Sequence, residues 1–318
     1  MAGDLLADES EAYRPRASDG ASGGLVQLDP DRITVVVPDI HARMELVLRM
    51  LSHRPESAGR DEQLLTLLHS GEAQLVCVGD YVHAETRAHR RWLAAYEEFA
   101  DGYVRHEAMD EEMRESLGTV EMLLELKRAV PGSVHLLKGN HENIANAAGG
   151  GNLPFGKFAY EGAMVAAYME QFYGDEVLNA FARVEGLYPL LAVGGHFLVT
   201  HAEPQAFYSR EDVIEYRSKP EVTFGLTWTP NDGAEAGSVE RMLEHYLGTR
   251  DAFHFGGHRP VRGAYALRAE GRYVQLHNPD AQVIAVLSPE RSIDLSRDVI
   301  ILNAQEDLSH GEAPGEDR

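Results

Sequence analysis

Cysteine is almost absent from this 318-residue chain. Cys77 stands alone inside an apolar run, cannot close an internal disulfide, and fits a reducing compartment, so a cytoplasmic location is expected. Long hydrophobic runs are also missing. None approaches the roughly 20 residues of a membrane span, and the first residues carry no basic segment followed by an apolar core, so neither a membrane partner nor a secretory leader is expected. Positive charge is scarce: 29 Lys and Arg stand against 51 Asp and Glu, a net charge of -22 at pH 7. That disfavours a nucleic-acid backbone as a bulk partner. It leaves room for a phosphorylated small molecule or protein, because a bound metal can outweigh the local field. There is no G-x-x-x-x-G-K-[ST], which disfavours a P-loop kinase or NTPase, and there is no internal repeat. What remains, 44% hydrophobic and 25% charged, is an ordinary globular composition, enough for one large domain or two small ones.

Residues 1–30 are rich in Ala, Gly, Ser, Asp and Glu without periodicity and read as a disordered tail. Residues 304–318 are acidic and read the same way. Between them, 31–303 read as one domain. Arg32-Ile33-Thr34-Val35-Val36-Val37 is a buried strand by its β-branched content, Gln74-Leu75-Val76-Cys77-Val78 is another, and Val134-His135-Leu136-Leu137 a third. Helical patterns follow the first strand at Met44 to Leu51 and cover 61–69 and about 86–130, the last an insertion with charged residues interleaved among Trp92, Leu93, Tyr96, Phe99, Val120 and Leu123. A further helix is expected through Met164, Ala167, Tyr168 and Phe172. Strands are expected at 196–200 and 252–255, and the final third reads as antiparallel β over 265–267, 273–276 and 283–287.

One event recurs along this chain. An apolar run ends and an Asp, Asn or His follows almost at once: Asp39 with His41, Asp80, Asn140 with His141, His201, and His258. In open α/β sheets ligands bind at the C-terminal ends of strands. The D-x-H spacing of Asp39 and His41 projects both side chains to one side if the turn stays extended. A lone His or Asp at a strand end is more often a turn former or a solvated group. Five such deliveries, with His four times and usually after Gly, are not explained by turn chemistry, which uses Ser, Asn and Gly interchangeably. The donors are O and N with no thiolate, which suits Mn, Fe or Zn in a mixed site and excludes a structural thiolate zinc site. Six protein ligands are too many for one catalytic ion that keeps an open position. They suit two ions about 3.5–4 Å apart sharing a carboxylate, an arrangement that activates water for attack at phosphorus.

Pro-Asp39-Ile-His41, Gly79-Asp80-Tyr81-Val82, Gly139-Asn140-His141-Glu142, Thr200-His201-Ala202 and Gly257-His258-Arg-Pro resemble the block motifs of calcineurin-like metallophosphoesterases. They span about residues 32–290. Within that superfamily the chain resembles the branch that holds Ser/Thr protein phosphatases and bacterial diadenosine tetraphosphate hydrolases. The resemblance implies an α/β fold (α+β by some schemes), a four-layer α-β-β-α sandwich of two mixed β-sheets flanked by helices. It implies that Asp39, His41 and Asp80 hold a first metal, and that Asp80 bridges to a second held by Asn140, His201 and His258. It further implies a metal-activated hydroxide as nucleophile and His141 as the general acid.

The chain departs from that branch after Gly79-Asp80-Tyr81-Val82. The usual Asp-Arg-Gly, whose Asp orients the catalytic His and whose Arg binds phosphate, is here His83-Ala84-Glu85. His83 therefore stands where the orienting carboxylate is expected, and Arg87, Arg90, Arg91 or Arg259 is left to supply the cation. Arg259, beside His258, is the best placed. Trp228 lies where the protein phosphatases keep a Trp, but no Arg adjoins it. Glu142 reads most simply as a Glu in the first turn of a helix. Three functions follow: a dinuclear phosphomonoesterase acting on a phosphoprotein or small phosphate ester, a dinucleoside polyphosphate or other phosphodiester hydrolase, and a metal-binding regulatory protein that has lost catalysis.

Overall fold

The computed structural model describes residues 2–302. In chain order its elements begin with helix α1 (Ala2–Ala7) and strands β1 (Leu25–Gln27) and β2 (Ile33–Val37). Helices α2 (Met44–Ser52) and α3 (Leu64–Ser70) precede β3 (Ala73–Cys77), and helices α4 (His89–Ala100) and α5 (Glu107–Ala129) precede β4 (Val134–Leu136). Helix α6 (Glu161–Glu185) is broken at Gly174, where φ is 81°. Strands β5 (Leu191–Val193) and β6 (Phe197–Thr200) follow, then helices α7 (Arg210–Ile214), α8 (Pro220–Thr227) and α9 (Ser238–Leu247). The chain continues through β7 (Phe253–Gly256), β8 (Ala266–Arg268), β9 (Tyr273–Gln275) and β10 (Val283–Leu287) to α10 (Leu295–Asp298) and β11 (Val299–Ile301). Among the described residues, no helix is long and apolar enough to cross a membrane.

The strands form two mixed sheets, in the orders β11-β10-β2-β3-β4 and β1-β5-β6-β7-β9-β8. The period of two along each strand decides what lies between them. In the first sheet Val35, Val37, Leu75 and Cys77 face Leu46 and Met50 of α2, Leu64 and Leu67 of α3, and Leu123 of α5. Their neighbours Val36, Val76 and Val78 face the other way, against Val199, Phe255 and Val274 of the second sheet. The outer face of that sheet, with Leu191, Val193 and Leu198, packs on Leu226 of α8 and on Val239, Met242 and Leu243 of α9. The result is four layers, helices on both outer faces and an apolar seam between the sheets. Because β2 and β3 are buried on both sides, they read as nearly continuous apolar runs, interrupted only by Thr34 and Gln74.

Each sheet has a parallel core. β2, β3 and β4 run together, as do β6, β7 and β9. All five deliveries predicted from sequence come from the C-terminal ends of these strands, and the two parallel sets aim them at one another.

Two expectations are corrected. Residues 2–28 are not a tail. Leu25–Gln27 pair in parallel with 191–193, Leu6 is buried in the core on the helical side, and Arg14 is fully buried. The charges that suggested solvation are paired: Glu9 bonds both Arg14 and Lys127, and Arg14 Nε donates to Gly23 O at 2.8 Å. The final third is not one antiparallel sheet either. β8 and β9 form an antiparallel hairpin, but β9 also pairs in parallel with β7, and the chain then crosses to the other sheet, where β10 lies between β2 and β11. Residues 304–318, expected as an acidic tail, lie outside the described residues.

The helices expected over 86–130 are α4 and α5. Together with α6 they gather around Trp92, Met109, Met113, Met164 and Tyr168, and they grip the loop that follows β3. Trp92 Nε1 donates to Ala84 O (2.6 Å), Glu112 Oε1 accepts from Ala84 N (2.8 Å) and Ser116 Oγ accepts from His83 N (3.1 Å).

Candidate metal centre

Asp80 Oδ2 is the atom around which the site is arranged. It lies 3.7 Å from His41 Nε2, 3.5 Å from His201 Nε2 and 3.8 Å from His141 Nε2. Asp39 Oδ2 also stands 3.7 Å from His41 Nε2. Asn140 Oδ1 lies 3.0 Å from His201 Nε2 and 2.8 Å from His258 Nδ1. The ligand atoms of Asp80, His201 and His258 lie within 4.8 Å of one another, and so do those of His41, Asp80 and His141. The six sequence-predicted ligands, Asp39, His41, Asp80, Asn140, His201 and His258, are thus in one place.

The backbone is bent to bring them there. His41, Asp80, His83 and His258 hold φ of 46°, 53°, 62° and 66°, a left-handed conformation that bulky residues rarely adopt and that clusters at functional sites. The loops also touch. A Cβ on Gly257 would strike Asp39 Oδ1, and one on Gly139 would strike Asp80, so both glycines are required by close approach. Asp39 accepts from His258 N at 3.0 Å through both oxygens, and Asp80 Oδ1 accepts from His141 N at 2.9 Å. Glu142 is not in a helix. Its carboxylate accepts from Gly139 N (2.7 Å), Asp80 N (2.8 Å) and Tyr81 N (2.8 Å), and it ties the loop after β3 to the loop after β4.

The donor set fits metal ions. Asp39 and Asp80 are both buried. Burial, then the charge of Asp39, pushes the Asp80 carboxyl well above the usual range, which means that two adjacent carboxylates do not both ionise there without a cation. His41 Nδ1 donates to His83 O at 2.9 Å, so Nε2 faces the carboxylates. Although burial opposes it, Glu85, Asp39 and Asp80 raise His41 to about 9, so these carboxylates call for a positive charge at Nε2, which a metal ion would supply in place of the proton.

His141 Nδ1 stands 3.0 Å from His83 Nδ1. Burial holds His83 down at about 3, with the His41 charge adding to it; burial, then His41 and His83, holds His141 well below its ordinary value. Phe155 closes over both, stacked on His83 with ring centres 5.4 Å apart and 3.8 Å from His141. The cleft in front of the centre has a volume of about 260 Å³ and is walled by Phe155, Phe158 and Trp228, with Lys157 and Arg259 among its lining. The Trp228 Nε1 proton has no hydrogen-bond partner among the described residues.

The arginine candidates separate. Arg91 is tied to Glu112 and Glu115. Arg87 donates to the carbonyls of His41 and Ala42 and pairs with Glu115. Arg90 is exposed and does not line the cleft. Arg259 is exposed at the cleft.

Sequence reasoning missed three residues. Lys157 reaches the cleft from an irregular loop whose sequence carries no signal. Glu85 looked like a loss, yet it is buried, with its oxygens 3.4 Å from Arg43 Nη2 and 3.0 Å from His277 Nε2. His277 itself follows Tyr273-Val274-Gln275-Leu276 and repeats the pattern of an apolar run and then a His; the same rule would have found it.

The chain belongs to the calcineurin-like phosphoesterase family, whose model matches residues 34–286. Membership implies a hydrolase. No curated protein matches the chain. Among solved structures it is similar to a protein serine/threonine phosphatase from Saccharomyces cerevisiae with similarity to human phosphatase PP5, at 15% identity and a TM-score of 0.53, covering 94% of this chain and 85% of that one. A cold-active protein-tyrosine phosphatase of a psychrophilic Shewanella species matches at 14% identity and a TM-score of 0.49, covering 92% and 90%. A putative diadenosine tetraphosphatase matches at 14% identity and a TM-score of 0.42, covering 88% and 97%. At these identities the yeast structure establishes the fold, two mixed sheets between helices.

Proposed function

We propose that the chain is a metal-dependent phosphomonoesterase acting on a phosphoprotein or a small phosphate ester, with two divalent or transition-metal ions sharing Asp80. The observation that supports it most is the place of Asp80 Oδ2, within 3.8 Å of a ring nitrogen of His41, His141 and His201. Asp39 and His41 would hold the first ion, and Asn140, His201 and His258 the second. Such ions, here Mn, Fe or Zn, supply Lewis acidity and an activated water at neutral pH.

The remaining steps belong to the protein. His141 is the general acid and gives the proton of Nε2 to the leaving oxygen. His83 is its positioning residue: in the protonated His141 that acts as the acid, Nδ1–H donates to the bare Nδ1 of neutral His83 and Nε2–H stands on the side that faces Asp80, so that giving up the Nε2 proton leaves a neutral imidazole. Phe155 keeps water from this pair. Arg259 and Lys157, at the cleft, draw in the phosphoryl group in place of the missing Arg. The single buried Cys77 is consistent with a cytoplasmic setting.

A phosphate-release screen on the Mn-loaded chain tests this, with p-nitrophenyl phosphate, phosphopeptides, sugar phosphates and dinucleoside polyphosphates as substrates. Release from monoesters is expected. Cleavage confined to dinucleoside polyphosphates would transfer the reading to that class. No release from any substrate by fully loaded protein would leave a metal-binding regulatory protein.

A further inference from the structure

His277 is buried at 1% exposure and touches the centre without belonging to any predicted ligand set. It arrives by the device that delivers His258. β7 and β9 are parallel neighbours with Gly256 opposite Gln275, and each histidine follows its strand end by two residues. His277 Nε2 lies 3.0 Å from Glu85 Oε1. Its ring centre is 5.3 Å from that of His41, and its Nδ1 is 3.8 Å from Asp39 Oδ2.

The contacts of Glu85 decide which nitrogen carries the proton. Arg43 Nη2 stands 3.4 Å from its other oxygen. With one oxygen at hydrogen-bond distance from His277 Nε2 and the other facing the Arg43 guanidinium, Glu85 is placed as the acceptor and His277 Nε2–H donates. That leaves Nδ1 as a bare lone pair. It faces Asp39 Oδ2 at a distance too long for a hydrogen bond, and it has no partner among the described residues. A buried acceptor pointed at the Asp39 carboxylate is unfavourable as plain core packing. It is the arrangement of a metal ligand whose other nitrogen is held by a carboxylate. The ligand atoms of Asp39, His41 and His277 lie within 4.8 Å of one another.

We infer that His277 is a further protein ligand of the ion held by Asp39 and His41, and that Glu85 is the carboxylate that orients it. The inference rests on the metal site of the proposed function. It assigns a purpose to the change at Glu85: the carboxylate that breaks the expected motif supports a ligand from the opposite sheet.

The test is Mn(II) titration of the chelator-treated full chain by calorimetry and electron paramagnetic resonance, for wild type, His277→Gln and Glu85→Gln. His277→Gln keeps a donor toward Glu85 and most of the volume but removes the imidazole. The expected result is that one of the two ions is bound about 100-fold or more weakly in His277→Gln and about 10–100-fold more weakly in Glu85→Gln, with the other ion unchanged. Melting of the chelated proteins should agree, with the gain on adding Mn(II) smaller in both variants. If both ions bind His277→Gln as tightly as wild type, or if it melts lower only in the chelated state, His277 is a packing residue and the inference fails. A wild type that binds no Mn(II) would overturn the proposed function as well.

Discussion

His141 makes different use of its two ring nitrogens, Nδ1 on His83 and Nε2 toward Asp80. If it is the acid, His141→Ala should lower turnover on an alkyl phosphate by about 10²–10⁴-fold, with the metal content of the protein unchanged. The loss should shrink on p-nitrophenyl phosphate, whose leaving group needs no proton. Equal losses on both substrates would remove the acid role. Most of this candidate site was legible in the sequence because each proposed ligand follows its strand end within a few residues, so local order carries the information. What was not legible depends on contacts across the fold. His277 meets Glu85 from 192 positions away, and Glu142 was mistaken for a helix-start residue because its three donors are gathered by two loops and a helix motif is only local.

At the scale of elements, Glu142 joins the loops after β3 and β4. Leaving its three backbone donors buried without an acceptor costs about 1–3 kcal/mol for each. Glu142→Ala should therefore lower the urea midpoint strongly, and Glu142→Gln, which keeps one acceptor oxygen, by less. Equal midpoints for wild type and Glu142→Ala would show that the two loops are held by their other contacts. The N-terminal segment makes a second case. Its strand has three residues, too few to show periodicity, and its partner is 166 positions later, Leu25 opposite Leu191, so nothing local announced it. Glu9 lies between the buried Arg14 and Lys127, and burial already lowers Lys127. Glu9→Gln should cost about 3–5 kcal/mol, because it leaves buried cations unpaired. A denaturation curve that superimposes on wild type would restore the disordered tail expected from composition.

The whole molecule carries its own pH dependence. His254 and His135 are buried on β7 and β4. Burial lowers His254 from 6.5 to about 3, and burial, then Lys127, holds His135 well below 6.5. Below 6.5 the unfolded chain binds protons at these residues that the folded chain does not, so stability falls as pH drops from 6.5 toward the folded values. Near pH 5 each group approaches a slope of about 1.4 kcal/mol per pH unit. Urea unfolding between pH 6.5 and 5 should therefore be flatter in His254→Gln than in wild type by about that slope; an identical slope would mean that His254 is not held neutral. At the same scale strands β2, β3, β4, β6 and β7 were readable as buried runs, whereas the assignment of β9 and β10 to different sheets was not, since both are buried at every position and such a strand suits either sheet.

The account turns on Asp80 serving two ions at once. Elemental analysis of purified, Mn-loaded wild type and Asp80→Ala, each checked as folded by circular dichroism, tests that directly. It should give about two ions per chain for wild type and close to none retained in the variant, since the shared carboxylate holds both. Wild-type loading of a single ion, or undiminished loading in Asp80→Ala, would contradict it.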